Sequence, residues 1–205
     1  MMEVGYKEVV EALERRGIKA VFLPTVQEAR RELLARIPAG SRVGIGGSMT
    51  IQDLRVEEEL AARGCEVLWH WRAPSPGEVK QLRRRALTCD FYLASTNAIT
   101  RDGRLVNIDG SGNRVMGMVY GPPRVILVAG INKLSTNLEG ALERVRREAC
   151  PPNARRLGLK TPCAATGECN DCNTPDRMCK VLTIIEGKPN ETELEVILVG
   201  EKLGY

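Results

Sequence analysis

The chain has 205 residues, 43% of them hydrophobic and 27% charged, which suits one globular domain built around a single substantial core. Its 30 Lys and Arg against 26 Asp and Glu leave a net charge of +4 spread along the whole length. That is too mild and too mixed for a nucleic-acid-binding stripe, yet compatible with a small phosphate-bearing ligand.

No apolar run reaches the ~20 residues a membrane span needs. The amino terminus, MMEVGYKEVVEALERRG, alternates charge with helix-spaced apolar residues, so it reads as mature, cytoplasmic sequence rather than as a signal peptide. In a reducing compartment the seven cysteines are poor disulfide formers, and their odd number leaves one over, which raises metal ligation.

Val9, Val10 and Leu13 predict a first helix ending at Gly17, and KAVFLP a strand stopped by Pro24. Thr25 is placed to cap the helix VQEARRELLARI, which Pro38-Ala-Gly ends, and RVGIGG is a short buried strand running into a glycine turn. A third helix is expected over 50–63. CEVLWHW then reads as a strand, PGEVKQLRRRALTC as a helix with Pro76 in its first turn, and DFYLAST as a strand. Asp102-Gly103 marks a turn between NAIT and RLVNI, PRVILVAG is the most β-like segment, and the helix NLEGALERVRREA follows. Strands separated by helices of this length predict an α/β fold with an open, mostly parallel sheet and helices on both faces.

A single domain over 1–205 is expected, with residues 1–150 as the α/β core. Pro151 and Pro152 begin a shift into a Cys-rich loop over 151–180. Residues 181–205 read as a C-terminal β-hairpin turning at Lys188-Pro-Asn and returning to the sheet.

Ligands of open parallel sheets collect beyond the carboxyl ends of strands, which points to three loops. In GIGGSMT, residues 44–50, Gly46 and Gly47 free backbone N–H groups while Ser48 and Thr50 add hydroxyls suited to phosphate or carboxylate. The plain alternative is a tight turn with Thr50 as helix cap. The spacing is neither that of a Walker loop nor a nucleotide fingerprint. In residues 95–115, Asn97, Thr100, Asp102, Asn107, Asp109, Ser111 and Asn113 crowd polar groups between apolar strands. Asp102, Gly103 and Gly110 suit turns, whereas Asp109-Gly110-Ser111-Gly112-Asn113, ahead of a short helix over 114–119, is the stronger ligand candidate. The third loop carries Lys133, a cation for an anionic ligand if it is not simply a surface lysine.

The sole histidine, His70, lies between Trp69 and Trp71. Strand alternation would send it to the face opposite both, making WHW a packing or rim feature, and no Ser-His-Asp arrangement is supported. Cys65 and Cys89 read as small buried hydrophobes. Cys163, Cys169, Cys172 and Cys179 form C-x5-C-x2-C-x6-C in a polar loop, a spacing that favours a [4Fe–4S] cluster over zinc, with reduced thiols or a disulfide as the alternative. Cys150 is a substitute ligand. The loop lies outside the glycine-rich turns, so its centre would either clamp the hairpin or pass electrons.

At GIGGSMT, CDFYLASTNAITRDGRLVNIDGSGNRVMGMVYGP, VILVAGINKLSTNLEGALERVRREACPPNA, TPCAATGECNDC and the closing LGY, the sequence resembles the lactate-utilization (LUD) domain family. The resemblance implies the Rossmann-like fold shared by ribose-5-phosphate isomerase, glucosamine-6-phosphate deaminase and CoA transferases. It also implies a part in oxidising lactate alongside iron–sulfur or flavin oxidoreductase partner proteins. The expected role is a ligand-binding or electron-transfer component, holding a small 2-hydroxy or 2-oxo acid, or a phosphate-bearing molecule, between residues 44–50 and 107–113. A homo-oligomer is compatible with this. The alternative is a stand-alone isomerase or acyl/CoA-transferase-type enzyme using Asp102, Asp109 or Lys133. Against it, Asn97 stands where the similar isomerases carry an acid/base aspartate, and an amide cannot transfer that proton.

Overall fold

The computed structural model describes residues 5–205; the reading of the amino-terminal segment as mature sequence falls partly on residues 1–4, outside the described residues. Among the described residues the strands are β1 (Lys19–Leu23), β2 (Arg42–Ile45), β3 (Glu66–Trp69), β4 (Phe91–Ala94), β5 (Ala98–Thr100), β6 (Leu105–Asp109), β7 (Arg124–Gly130), β8 (Leu134–Ser135), β9 (Val181–Ile185) and β10 (Glu193–Val199). They form two sheets. One has six strands in the order β1-β10-β7-β4-β2-β3, all parallel. The other has four, β8-β5-β6-β9, with β5–β6 and β6–β9 antiparallel and β5–β8 parallel. The α/β architecture with a parallel main sheet is as expected from the sequence.

Alternation along the central strands separates two cores. On one face, Ile126 and Val128 of β7 pack with Ile197 and Val199 of β10 against Leu33 of helix Val26–Ala35, Ile51 and Leu54 of helix Met49–Leu54, and Leu60 of helix Glu57–Ala62. On the other, Val125, Leu127 and Ala129 meet Val9 and Leu13 of helix Tyr6–Arg15 and Met118 of helix Asn113–Val119, together with Ile99, Leu105 and Ile185 of the small sheet. The far side of the small sheet, through Ala98 and Val106, packs against Ala141, Val145 and Cys150. Gly117 permits one close approach here: a Cβ added to it would stand 2.5 Å from Cζ of the buried Tyr92 ring.

Thr25 caps its helix as expected, in a reciprocal box with Glu28. The helix expected over 50–63 is two helices, because Arg55 adopts a left-handed conformation with φ 49°. Leu54 and Val56 are both buried, yet two residues apart they would lie ~200° around a continuous helix. Ser48, not Thr50, caps the first of them, accepting from Ile51 N at 3.3 Å. The strand expected over CEVLWHW stops at Trp69, where a 3-10 turn over His70–Arg72 stacks Trp71 on Trp69 with ring centroids 5.4 Å apart.

Helical structure also continues past Ala149. A π-helical turn over Val145–Ala149 leads into helix Cys150–Arg156, whose first turn takes Pro151 and Pro152, where missing N–H groups cost no intrahelical bond. The expected C-terminal hairpin does not form. β9 pairs with β6 in the small sheet, while β10 lies between β1 and β7 in the main one. The physical reason is burial: Val196, Ile197, Leu198 and Val199 are all enclosed, the pattern of an inner parallel strand covered on both faces rather than of a hairpin arm.

Candidate functional site

A cavity of about 350 Å³ opens beyond the carboxyl ends of the main-sheet strands. Gly47, Ser48 and Thr50 follow β2, His70 and Trp71 follow β3, Ser95, Thr96 and Asn97 follow β4, Lys133 follows β7, and Tyr205 approaches from beyond β10. Opposite them stand Asp109, Gly110, Ser111, Asn113 and Arg114 at the end of β6. The structure therefore brings together the three loops singled out in the sequence.

The remaining candidates support the cavity or lie apart from it. Gly46 sits behind the wall, where an added Cβ would meet the Tyr92 hydroxyl at 3.0 Å and Arg114 Cγ at 3.1 Å. Asn107 is fully buried and accepts from Arg114. Gly112 is the left-handed cap of helix Asn113–Val119. Asp102 lies in the turn between β5 and β6, ion-paired with Arg16 at 2.9 Å and Arg104 at 3.4 Å, outside the cavity lining. Its slight burial works to raise its pKa, but the Thr100 hydroxyl and these two guanidiniums hold the carboxyl below its ordinary range.

Basic side chains dominate the lining: Arg83, Arg114, Lys133, Arg156, Arg177 and Lys180 stand against one acidic side chain among the described residues, Asp109. That carboxylate is committed to backbone, accepting from Ser111 N at 3.1 Å, Gly112 N at 3.2 Å, Arg114 N at 3.1 Å and Val115 N at 3.2 Å. Asp109 thus anchors the start of a helix.

Arg114 is buried, and its guanidinium is held by neutral oxygens: Ser95 O and Asn107 Oδ1 at 2.8 Å, Asn97 Oδ1 at 2.8 Å and Ile108 O at 2.7 Å. Lys133 is 3% exposed, far from the surface lysine that was the plain alternative. Its Nζ donates to Thr50 Oγ1 at 2.9 Å and to Ser95 Oγ at 2.8 Å. Burial, then the nearby Arg144 and Arg114, hold its pKa well below the ordinary lysine range.

His70 is 8% exposed and lines the cavity, so the rim reading understates it. Burial and then Arg83 push its pKa down to about 4, leaving a neutral imidazole at physiological pH. Arg156 covers Trp71, its guanidinium carbon 4.5 Å from the ring centroid.

The cysteine loop does not stand apart from this site. Cys163, Cys169, Cys172 and Cys179 line a second, smaller cavity, which shares Ile108, Arg177 and Met178 with the first. Cys150 lines the larger cavity, with its Sγ 3.4 Å from that of Cys179, so the two thiols meet at the partition. Cys150 keeps its proton, its pKa raised by Cys179 and by burial. Cys179 is lowered to about 7, mainly by the hydrogen bond with Cys150 and, against the effect of burial, by Arg177 and Arg146. Arg177 braces the loop, donating to Cys179 O at 3.0 Å, Asp171 Oδ1 at 2.8 Å and Cys172 O. Among the described residues no three His, Cys, Asp or Glu side chains already converge on a single-ion site.

Sequence reasoning missed Arg83, Arg114, Arg156, Arg177 and Ser95, all on the cavity wall. Only Arg114 carried a signal, standing directly after the Asp109–Asn113 loop at the start of an expected helix.

The structure is similar to the crystal structure of a DUF162 family protein from Deinococcus radiodurans, with a TM-score of 0.53 over 96% of this chain and 99% of that one. At 15% identity the likeness speaks for the fold. A comparison with curated protein sequences gives no match. The LUD domain family model matches residues 6–199. With nearly the whole chain covered, the protein belongs to the LUD domain family, and membership implies a role related to lactate utilization.

Proposed function

We propose that the larger cavity binds a small anionic acid of the 2-hydroxy or 2-oxo class, or a phosphate-bearing relative, and that the chain serves as a ligand-binding component of a system oxidising lactate or a similar acid. The observation that carries this reading is Arg114, a buried guanidinium on the cavity wall whose four N–H···O bonds all go to neutral oxygens, with the guanidiniums of Arg83, Arg156 and Arg177 on the same lining. Buried charge is costly unless compensated, and an anionic ligand supplies the compensation. The isomerase or transferase alternative needs an acid/base pair, whereas Asp109 is tied to four backbone N–H groups and Asp102 lies outside the cavity lining.

Thermal shift and calorimetry with pyruvate, L-lactate and inorganic phosphate test the site. Stabilisation is expected from at least one of these anions in the natural chain, and its loss in Gly47→Asp, which puts a carboxylate beside Trp71 and His70. An equal response in both proteins overturns the assignment.

For the cysteines, the reading is a [4Fe–4S] cluster held by Cys163, Cys169, Cys172 and Cys179. Support comes from the four thiols lining one cavity and from Cys179, whose lowered pKa favours the ligating thiolate. Such a cluster supplies one-electron transfer when bound. Its place against the shared wall suits an electron-transfer component working with an iron–sulfur or flavin partner. Anaerobic purification followed by iron, sulfide and zinc analysis decides: iron with sulfide supports the cluster, stoichiometric zinc makes the loop a structural clasp, and neither metal overturns both.

A further inference from the structure

Lys133 ends the 3-10 turn Ile131–Lys133 that follows β7, and its side chain reaches back to the wall of the larger cavity. The hydrogen bonds around its nitrogen account for two of its hydrogens. Ser95 Oγ donates its own hydrogen to Thr96 O at 3.2 Å, and Thr50 Oγ1 donates to Leu203 O at 3.4 Å. Both hydroxyls therefore receive from Nζ rather than give to it. A neutral primary amine has two hydrogens and one lone pair. Two of its hydrogens match the two hydroxyls, and in the neutral amine the remaining position on the nitrogen is the lone pair.

The surroundings favour that form. Lys133 forms no ion pair among the described residues, and the two guanidiniums of the same sign near it, Arg144 and Arg114, outweigh the one opposing carboxylate, Asp53. Burial and these neighbours hold its pKa well below the usual lysine range, as a nucleophilic lysine requires. The same cavity carries the Arg156 guanidinium, suited to a carboxylate, with the buried charge of Arg114 behind it. A carboxylate with an adjacent ketone is a 2-oxo acid.

We propose that Lys133 forms an imine with the C2 carbonyl of a 2-oxo acid bound in this cavity. The inference rests on the reading of the cavity as an acid-binding site and adds a covalent step to it. The Nζ lone pair attacks C2, a C–N bond forms, and the carbonyl oxygen takes up a proton to become a hydroxyl. The nitrogen then gives up its remaining protons but one, the hydroxyl takes another proton and leaves as water, and a protonated imine remains. Amine, ketone and one proton thus become iminium and water, with no change of oxidation state. The proton that the nitrogen loses passes to water, which also supplies the protons taken up by the oxygen, while Thr50 and Ser95 hold Nζ in place through their hydrogen bonds. A 2-hydroxy acid such as lactate has no carbonyl and binds without this step.

The test uses the full chain incubated with pyruvate, 2-oxobutyrate or glyoxylate and sodium cyanoborohydride, read by intact mass and peptide mapping, with thermal shift in parallel. The expected result is a mass gain equal to the acid less one oxygen atom, located on Lys133, absent without the acid, absent with lactate and absent in Lys133→Arg. Trapping in the natural chain is the primary readout, so it stands even if the variant does not fold. Stabilisation by these acids without an adduct on Lys133, or an adduct carried chiefly by Lys180 or another lysine, overturns the imine and leaves the acid-binding cavity in place. No stabilisation by any of the oxo acids, lactate or phosphate overturns the cavity reading itself.

Discussion

Asn97 holds Arg114: the Asn97 amide oxygen accepts from the guanidinium at 2.8 Å and from Ile108 N at 3.0 Å, tying the cation to the strand beneath it. Because the acceptor is an amide, it leaves the positive charge of Arg114 in place at the cavity. Asn97→Asp replaces that acceptor with a carboxylate of nearly the same shape. The variant is expected to fold and to bind pyruvate or phosphate at least ~10-fold more weakly, about 1.4 kcal/mol, because the guanidinium is neutralised before the ligand arrives. Calorimetry on the two proteins gives the ratio, and equal affinities would show that the ligand does not sense Arg114.

The contact between Gly117 and the Tyr92 ring leaves no room for a methyl group. Gly117→Ala is expected to destabilise the protein by roughly 1–3 kcal/mol, since two packed elements must separate. Urea denaturation measures the loss. An alanine tolerated without cost would mean that the helix carrying it can slide.

Thr25 and Glu28 close the capping box ahead of helix Val26–Ala35. Thr25→Ala removes the acceptor for Glu28 N and is expected to cost about 1 kcal/mol, seen as a lower denaturation midpoint with an unchanged slope.

His70 makes stability depend on pH with a definite sign. Unfolded, it titrates near 6.5; folded, burial and then Arg83 hold it at about 4. Between those values the unfolded chain binds the extra proton, so this contribution is intact above pH 6.5 and is lost as pH falls toward 4. Allowing for partial solvent contact, the loss is about 1–2 kcal/mol. Comparing pH profiles of the natural chain and His70→Asn isolates it, and parallel profiles would remove His70 as the cause.

Much of the layer structure was legible because its signals are local. The apolar run of β7, the Thr25 cap and the Asp102-Gly103 turn each depend on a few neighbouring residues. The placement of β10 was not, because an apolar strand after a turn reads the same whether it pairs with the preceding strand or crosses into another sheet. The candidate loops were found for the same local reason, yet the roles within them were not. Asp109 and Ser111 look alike as polar loop residues; only the folded backbone shows Asp109 receiving four N–H groups. The guanidinium of Arg114 acquires its meaning from Ser95, Asn97, Asn107 and Ile108, two of which lie on other segments. The nearness of the cysteine loop to the cavity depends on the helical path through Pro151 and Pro152, which local composition presents as a break.

The position of β10 between β1 and β7 has a consequence for biosynthesis. Among the described residues β1 has no other partner in its sheet, so its backbone groups wait, during translation, for a strand that lies about 170 residues downstream. Until Glu193–Val199 leaves the ribosome, the nascent chain carries an open slot flanked by two apolar strands, a surface that invites mispairing with other chains. Insertion of that strand is therefore the step that seals the sheet. Truncation before residue 193 should yield an aggregating product rather than a smaller folded one.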